Sequence, residues 1–179
     1  MASTIVKCYK EHFPALRLIG RCYTNADRLN GGYGKLWHEW LGKGWFDDLE
    51  RSAKPAADVE SGYLGLITMS YPEYRNFKYW IGMLFPKDTP VPVGYAHLDL
   101  PESEVGMAWV HGRLADGELI GEAPCEAARK KVLGSNWGDL NTNACGKNTI
   151  VFFERYNHPR FTTPDEKGNV ILDYGFYLK

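Results

Sequence analysis

The run Ile150-Val151-Phe152-Phe153-Glu154-Arg155-Tyr156 constrains this chain more than any other segment. Its β-branched and aromatic residues read as a core strand of a sheet. Side chains alternate faces along a strand, so Phe152, Glu154 and Tyr156 share one face while Phe153 and Arg155 take the other. Arg155 therefore cannot neutralise its neighbour. An ionised carboxylate buried without a partner costs on the order of several kcal/mol, comparable with the whole stability of a small domain. Such a group shifts its pKa, meets a cation from elsewhere in the fold, or receives one from outside. Lys78, Arg113 and His111 are the internal cations that could meet it.

The rest of the chain supplies a frame for that strand. Apolar runs predict further strands over 15–23, 63–69, 77–85, 105–114 and 170–178. Trp37, Trp40 and Leu41 fall at helical spacing, and Gly42-Lys43-Gly44 ends or bends that helix. Phe46 and Leu49 suggest a second short helix before Pro55. Pro124 suits the first turn of a helix that runs through Ala127, Ala128 and Val132 and stops at Gly134. Between the halves, Pro86-Lys87-Asp88-Thr89-Pro90-Val91-Pro92 reads as a stiff connector. Each half, about 13–86 and about 104–179, then reads strand, helix, strand, strand. The expectation is one α+β domain over residues 1–179, with duplicated units forming a largely antiparallel sheet and helices packed on it.

That order, with its local motifs, resembles the gyrase-inhibitor-like (GyrI-like) family, which includes the effector-binding domains of AraC-type and MerR-type transcription regulators. Phe13-Pro14-Ala15-Leu16-Arg17-Leu18-Ile19-Gly20 is similar to its opening strand, and Gly34-Lys35-Leu36-Trp37-His38-Glu39-Trp40 to its first helix. Tyr79-Trp80-Ile81-Gly82-Met83, Met107-Ala108-Trp109-Val110-His111-Gly112, Phe153-Glu154-Arg155-Tyr156 and the stretch 173–179 are similar to later strands. The helix from Pro124 departs from the pattern, being rich in Lys and Ala where the family often places an aromatic. The resemblance implies an aromatic ligand groove and matches Glu154 to the glutamate at the base of the drug pocket in multidrug-sensing members. It also implies a stand-alone member without a helix-turn-helix domain, comparable to integron-cassette proteins that bind cationic drugs.

Candidate ligand contacts follow from strand parity and family position together. Phe152 and Tyr156 share the face of Glu154, and Phe176 lies on the closing strand. Trp109 and His111 share a strand face, Tyr33 and Trp37 flank the first helix, and Tyr63 and Trp80 enter by family position. A carboxylate framed by aromatic rings suits a hydrophobic cation, each cation–π contact contributing roughly 0.5–2 kcal/mol. Broad, aromatic-lined sites also accept many shapes. The primary expectation is therefore binding, sensing or sequestration of hydrophobic cationic compounds. Two alternatives stand beside it. The same glutamate, with Trp109, could serve a hydrolase of reactive cyclopropane-bearing cytotoxins, because a buried carboxyl can act as general acid or base. The chain could also act as a gyrase-inhibitor-like interaction protein, with a protein partner or as a homodimer.

Other classes find little support. A net charge of −1 lacks the basic footprint of a nucleic-acid binder. No apolar run approaches the ~20 residues of a membrane span, and residues 1–11 carry no signal-peptide core, so a cytoplasmic protein is expected. Cys8, Cys22, Cys125 and Cys145 are scattered and read as reduced thiols. His38-Glu39 lacks the second histidine of a zinc helix, and His97, His111 and His158 have no ligand-like spacing, so neither metal nor cofactor is expected. Gly31-Gly32-Tyr33-Gly34 precedes a helix without the Lys-Ser/Thr pair of a phosphate loop.

Overall fold

All six strands expected from apolar patterning form, and two more join them in one antiparallel eight-stranded sheet. The structure, a computed structural model, describes residues 3–179. In chain order the strands are β1 (Thr4–Phe13), β2 (Leu16–Tyr23), β3 (Tyr63–Ser70), β4 (Lys78–Pro86), β5 (Ala96–Leu100), β6 (Ser103–Gly112), β7 (Thr149–Tyr156) and β8 (Val170–Tyr177). Three α-helices interrupt them: α1 (Gly34–Gly42), α2 (Trp45–Ser52) and α3 (Glu122–Leu133). The spatial order β1-β6-β8-β7-β3-β4-β2-β5 reads the same reversed if each strand is exchanged for the one four places on. The two halves are thus related by a pseudo-twofold at the β7–β3 pair.

The unforeseen strands are β1 and β5. The family resemblance runs Phe13 to Gly20 as one strand, but the chain breaks at Pro14-Ala15, where proline cannot donate a ladder hydrogen bond. Both strands are polar and half exposed, alternating residues such as Lys7, Lys10 and Glu11 with Tyr9, so they carry little apolar signal. Each pairs with the other half: β1 lies against β6, and β5 against β2. The connector of prolines after β4 therefore leads into a strand shared between halves.

The short links at these strands fix the shape of the sheet. Only Pro14 and Ala15 join β1 to β2, which lie six strand positions apart. Six spacings of a flat sheet would be about 29 Å. The link spans at most about 11 Å. The sheet must therefore curl until its edges approach, and the same holds for the link from β5 to β6. Inside the curl lies a core containing Phe13, Leu16, Leu66, Trp80, Met107 and Phe153. Phe13, on an edge strand, stacks on central Phe153 with ring centroids 5.8 Å apart.

The helices lie on the outer face. Trp40 anchors α1, fully buried and donating from Nε1 to the Tyr23 hydroxyl at 2.9 Å. Gly44, in the left-handed region at φ 67°, turns the chain from α1 into α2. Asp47 and Asp48 in the first turn of α2 and Arg51 in its last complement the helix dipole. On the other half, α3 buries Ala128 and Val132. The central strands β7 and β3, between α1 and α3, keep their outer face open to a cavity.

Candidate functional site

The floor of the cavity is set by strand register. Pairing places Glu154 opposite Gly65 of β3 and Tyr174 of β8, so all three face the helices. Ile67 pairs with Tyr79, which brings Tyr79 to the same side. Gly65 makes room for the contact. A Cβ there would lie 2.2 Å from the Tyr79 hydroxyl and 3.0 Å from Glu154 Oε2. The alternation expected of β7 holds: Glu154 looks outward to the cavity and Arg155 inward to the curl.

Glu154 is buried and meets only hydroxyls. Tyr156 donates to Oε2 at 2.8 Å and Tyr79 donates to the same oxygen at 3.1 Å. Trp37, on α1, donates from Nε1 to the Tyr79 oxygen at 3.0 Å, which directs the Tyr79 proton toward the carboxylate. The Tyr174 hydroxyl lies 3.5 Å from Oε1 and donates to the Leu119 carbonyl at 2.8 Å. Neither Lys78, Arg113 nor His111 reaches Glu154; His111 pairs with Asp165 at 3.3 Å, and Arg113 lies 3.6 Å from Asp116. Among the described residues no lysine, arginine or histidine forms an ion pair with it. Burial pushes the Glu154 carboxyl above its ordinary value, and the hydroxyls of Tyr156, Tyr79 and Tyr174 only partly counter this. Burial, with the nearby carboxylate, also raises Tyr79 and Tyr156 well above the usual phenol value.

Above this floor opens a cavity of about 560 Å³. Its size is that of a small-molecule site. One wall is the lead-in to α1 with Arg28, Tyr33 and Trp37; the other is the start of α3 with Ile120, Cys125 and Arg129. Aromatic rings cluster around the carboxyl. Tyr33 stacks on Tyr79 at 4.1 Å, and Trp37 meets Tyr156 at 4.5 Å. Phe152 stacks on Phe176 at 5.9 Å. At the mouth the Arg28 guanidinium sits 5.4 Å from the Tyr33 ring, and Arg129 is held by Glu126 at 2.7 Å. The Cys125 thiol is pushed up to about 12 by burial and by Glu154, which leaves it a poor nucleophile.

Six of the ten residues singled out from sequence meet here: Glu154, Tyr33, Trp37, Phe152, Tyr156 and Phe176. Four lie elsewhere. Trp109 and His111 do share a face, but it is the inner one, because Trp109 pairs with Asp173 rather than Tyr174. There Trp109 stands under Arg160 and Lys7, at 4.1 Å and 4.3 Å from its ring. Trp80 belongs to the inner core. Tyr63 is on the outer face but is spent against Phe46 of α2, 3.7 Å away. Two central residues escaped the sequence reading. Tyr79 neighbours Trp80, the residue that family position points to; Tyr174 shares a strand face with Phe176, and the sequence alone allows either face of that strand to be buried. One-residue parity decides both cases, and only interstrand register supplies it.

No family profile matches the chain, and no curated protein does. Solved structures share the fold. A crystal structure of a Staphylococcus aureus MU50 protein provisionally assigned to bacterial transcription regulation superposes with a TM-score of 0.62 at 17% identity, covering 97% of this chain and 98% of that one. SAV2435 bound to tetraphenylphosphonium gives 0.57 at 17% identity, covering 97% and 94%. An integron cassette protein from the mobile metagenome of Vibrio cholerae gives 0.44 at 13% identity, covering 99% of each chain. At 17% identity the likeness to the first two concerns the fold alone. No helix among the described residues is long and apolar enough to cross a membrane, and no cluster of metal-ligating side chains occurs among them.

Proposed function

We propose that this protein binds hydrophobic, cationic small molecules, with Glu154 as counter-charge at the base of an aromatic cavity. One observation carries the reading: a buried carboxyl without a cationic partner among the described residues, opening onto about 560 Å³ of mostly apolar space with aromatic rings around the carboxyl. Buried charges in folded proteins are normally paired. Here the missing partner has a place to arrive. The rings of Tyr33, Trp37, Tyr156 and Phe152 offer negative faces, and the carboxylate offers a full charge. That a protein of the same fold is bound to tetraphenylphosphonium supports this ligand class. For the hydrolase alternative, the thiol lining the cavity, Cys125, is held protonated and offers no nucleophile.

Trp37 lines the cavity, so intrinsic fluorescence reports on it. Titration with tetraphenylphosphonium should quench emission, whereas triphenylphosphine oxide, similar in shape and uncharged, should bind at least about tenfold more weakly. Glu154→Gln should remove that preference. Equal affinity for the two compounds, or an unchanged preference in the variant, would sink the proposal.

A further inference from the structure

The two oxygens of Glu154 are not equivalent. Oε2 accepts two hydrogen bonds, from Tyr156 and Tyr79. The Tyr79 proton is free for this because its oxygen accepts from Trp37. Oε1 has no such donor. Its nearest hydroxyl, Tyr174, has a single proton and directs it to the Leu119 carbonyl at 2.8 Å, against 3.5 Å to Oε1. The ionised carboxylate would therefore keep one oxygen with no donor nearer than 3.5 Å, which disfavours the charged form. A proton on Oε1 reverses this. The neutral acid carries no charge on this poorly supported oxygen, while Oε2 goes on accepting from Tyr156 and Tyr79.

We propose that Glu154 rests as the neutral acid, with its proton on Oε1, and that a cation entering the cavity displaces that proton to solvent. This rests on the ligand reading above and adds a stoichiometry to it: one proton leaves for each permanent cation bound. An uncharged lipophilic amine takes the other route, accepting the proton from Oε1 inside the cavity, with none released. The groups that face Glu154 are consistent with the exchange. On the strands they are Tyr79, Tyr156 and Tyr174, with Tyr63 beyond Gly65 on β3. From α3 come Cys125, Glu122, Glu126 and Arg129, the last two paired with each other, and Arg28 and Tyr33 come from the lead-in to α1. The only cations in this set are the two arginines at the mouth, and neither forms an ion pair with the carboxyl.

Infrared difference spectra of the ligand-free protein against Glu154→Gln should show the carbonyl stretch of a protonated carboxylic acid, which tetraphenylphosphonium abolishes. Calorimetry in buffers of different ionisation enthalpy should find proton release approaching one per cation. Affinity should rise with pH by up to about tenfold per unit, between about pH 5 and the point where the free acid has titrated. Tyr156→Phe removes a donor to the ionised form and should move that midpoint to higher pH, which keeps the test open if Glu154→Gln folds poorly. Binding with flat affinity across about pH 5 to 8, no proton release and no carboxyl band overturns the exchange alone. A carboxyl band that tetraphenylphosphonium leaves in place at every pH overturns the exchange together with the ligand reading.

Discussion

Asp173 and Glu154 lie one register step apart at the centre of the same sheet, both buried, on opposite faces. Asp173 faces inward and is gripped by Arg155 at 3.0 Å and Arg160 at 2.7 Å, with Glu60 closing the network at 2.9 Å from Arg160. Glu154 faces outward and has three tyrosines. The inner carboxylate is compensated within the fold by two arginines. The outer one is compensated only by neutral donors and has a cavity above it. A buried charge that the fold completes contributes to architecture, and one that it leaves incomplete is poised for a ligand.

The largest effect should come from breaking the inner site. Asp173→Asn leaves two arginines against a neutral group, one of them fully buried, and should cost about 3–5 kcal/mol in chemical denaturation. Next is Gly65→Ala, whose methyl would strike the Tyr79 hydroxyl and crowd Glu154. A loss of about 1–3 kcal/mol is expected, together with several-fold weaker cation binding.

Glu154→Gln should behave in the opposite way to Asp173→Asn. It should lose about tenfold or more in cation affinity yet gain a few degrees in Tm near neutral pH. The sign follows from the raised pKa. The folded state holds the proton more tightly than the unfolded chain, so the wild-type penalty is fully present above the raised pKa. It is relieved as pH falls toward the ordinary carboxylate value of 4.5, and the variant's advantage in thermal melts should shrink over that window. A variant less stable than wild type at every pH would erase the contrast between the two sites. The smallest effect belongs to Trp109→Phe. It should cost roughly 1 kcal/mol or less through its cation contacts and leave cation affinity within about twofold, since Trp109 lies on the inner face.

Much of the fold was legible because its core strands are continuous apolar runs bounded by glycine and proline. The edge strands β1 and β5 were not, because an edge strand with one wet face has a polar composition close to that of a loop. The site was legible in part. Along β7 the period of two was enough to separate Glu154 from Arg155 and to group it with Phe152 and Tyr156. Between strands that period says nothing until the register is known. Hence the sequence points to Trp109 and Trp80, whereas the register turns both inward and brings Tyr79 to the carboxyl.

The sequence by itself determined that Glu154 would be buried and could not be neutralised by its neighbour, because alternation is a local property of any strand. Only the tertiary structure decided which groups of other strands surround it. The register of β3, β4 and β8 adds Tyr79 and Tyr174 to Tyr156 around the carboxyl and puts every nearby arginine on the other face or at the mouth. That choice depends on how distant strands align, and a one-residue slip in any of them would have paired the charge or emptied the floor.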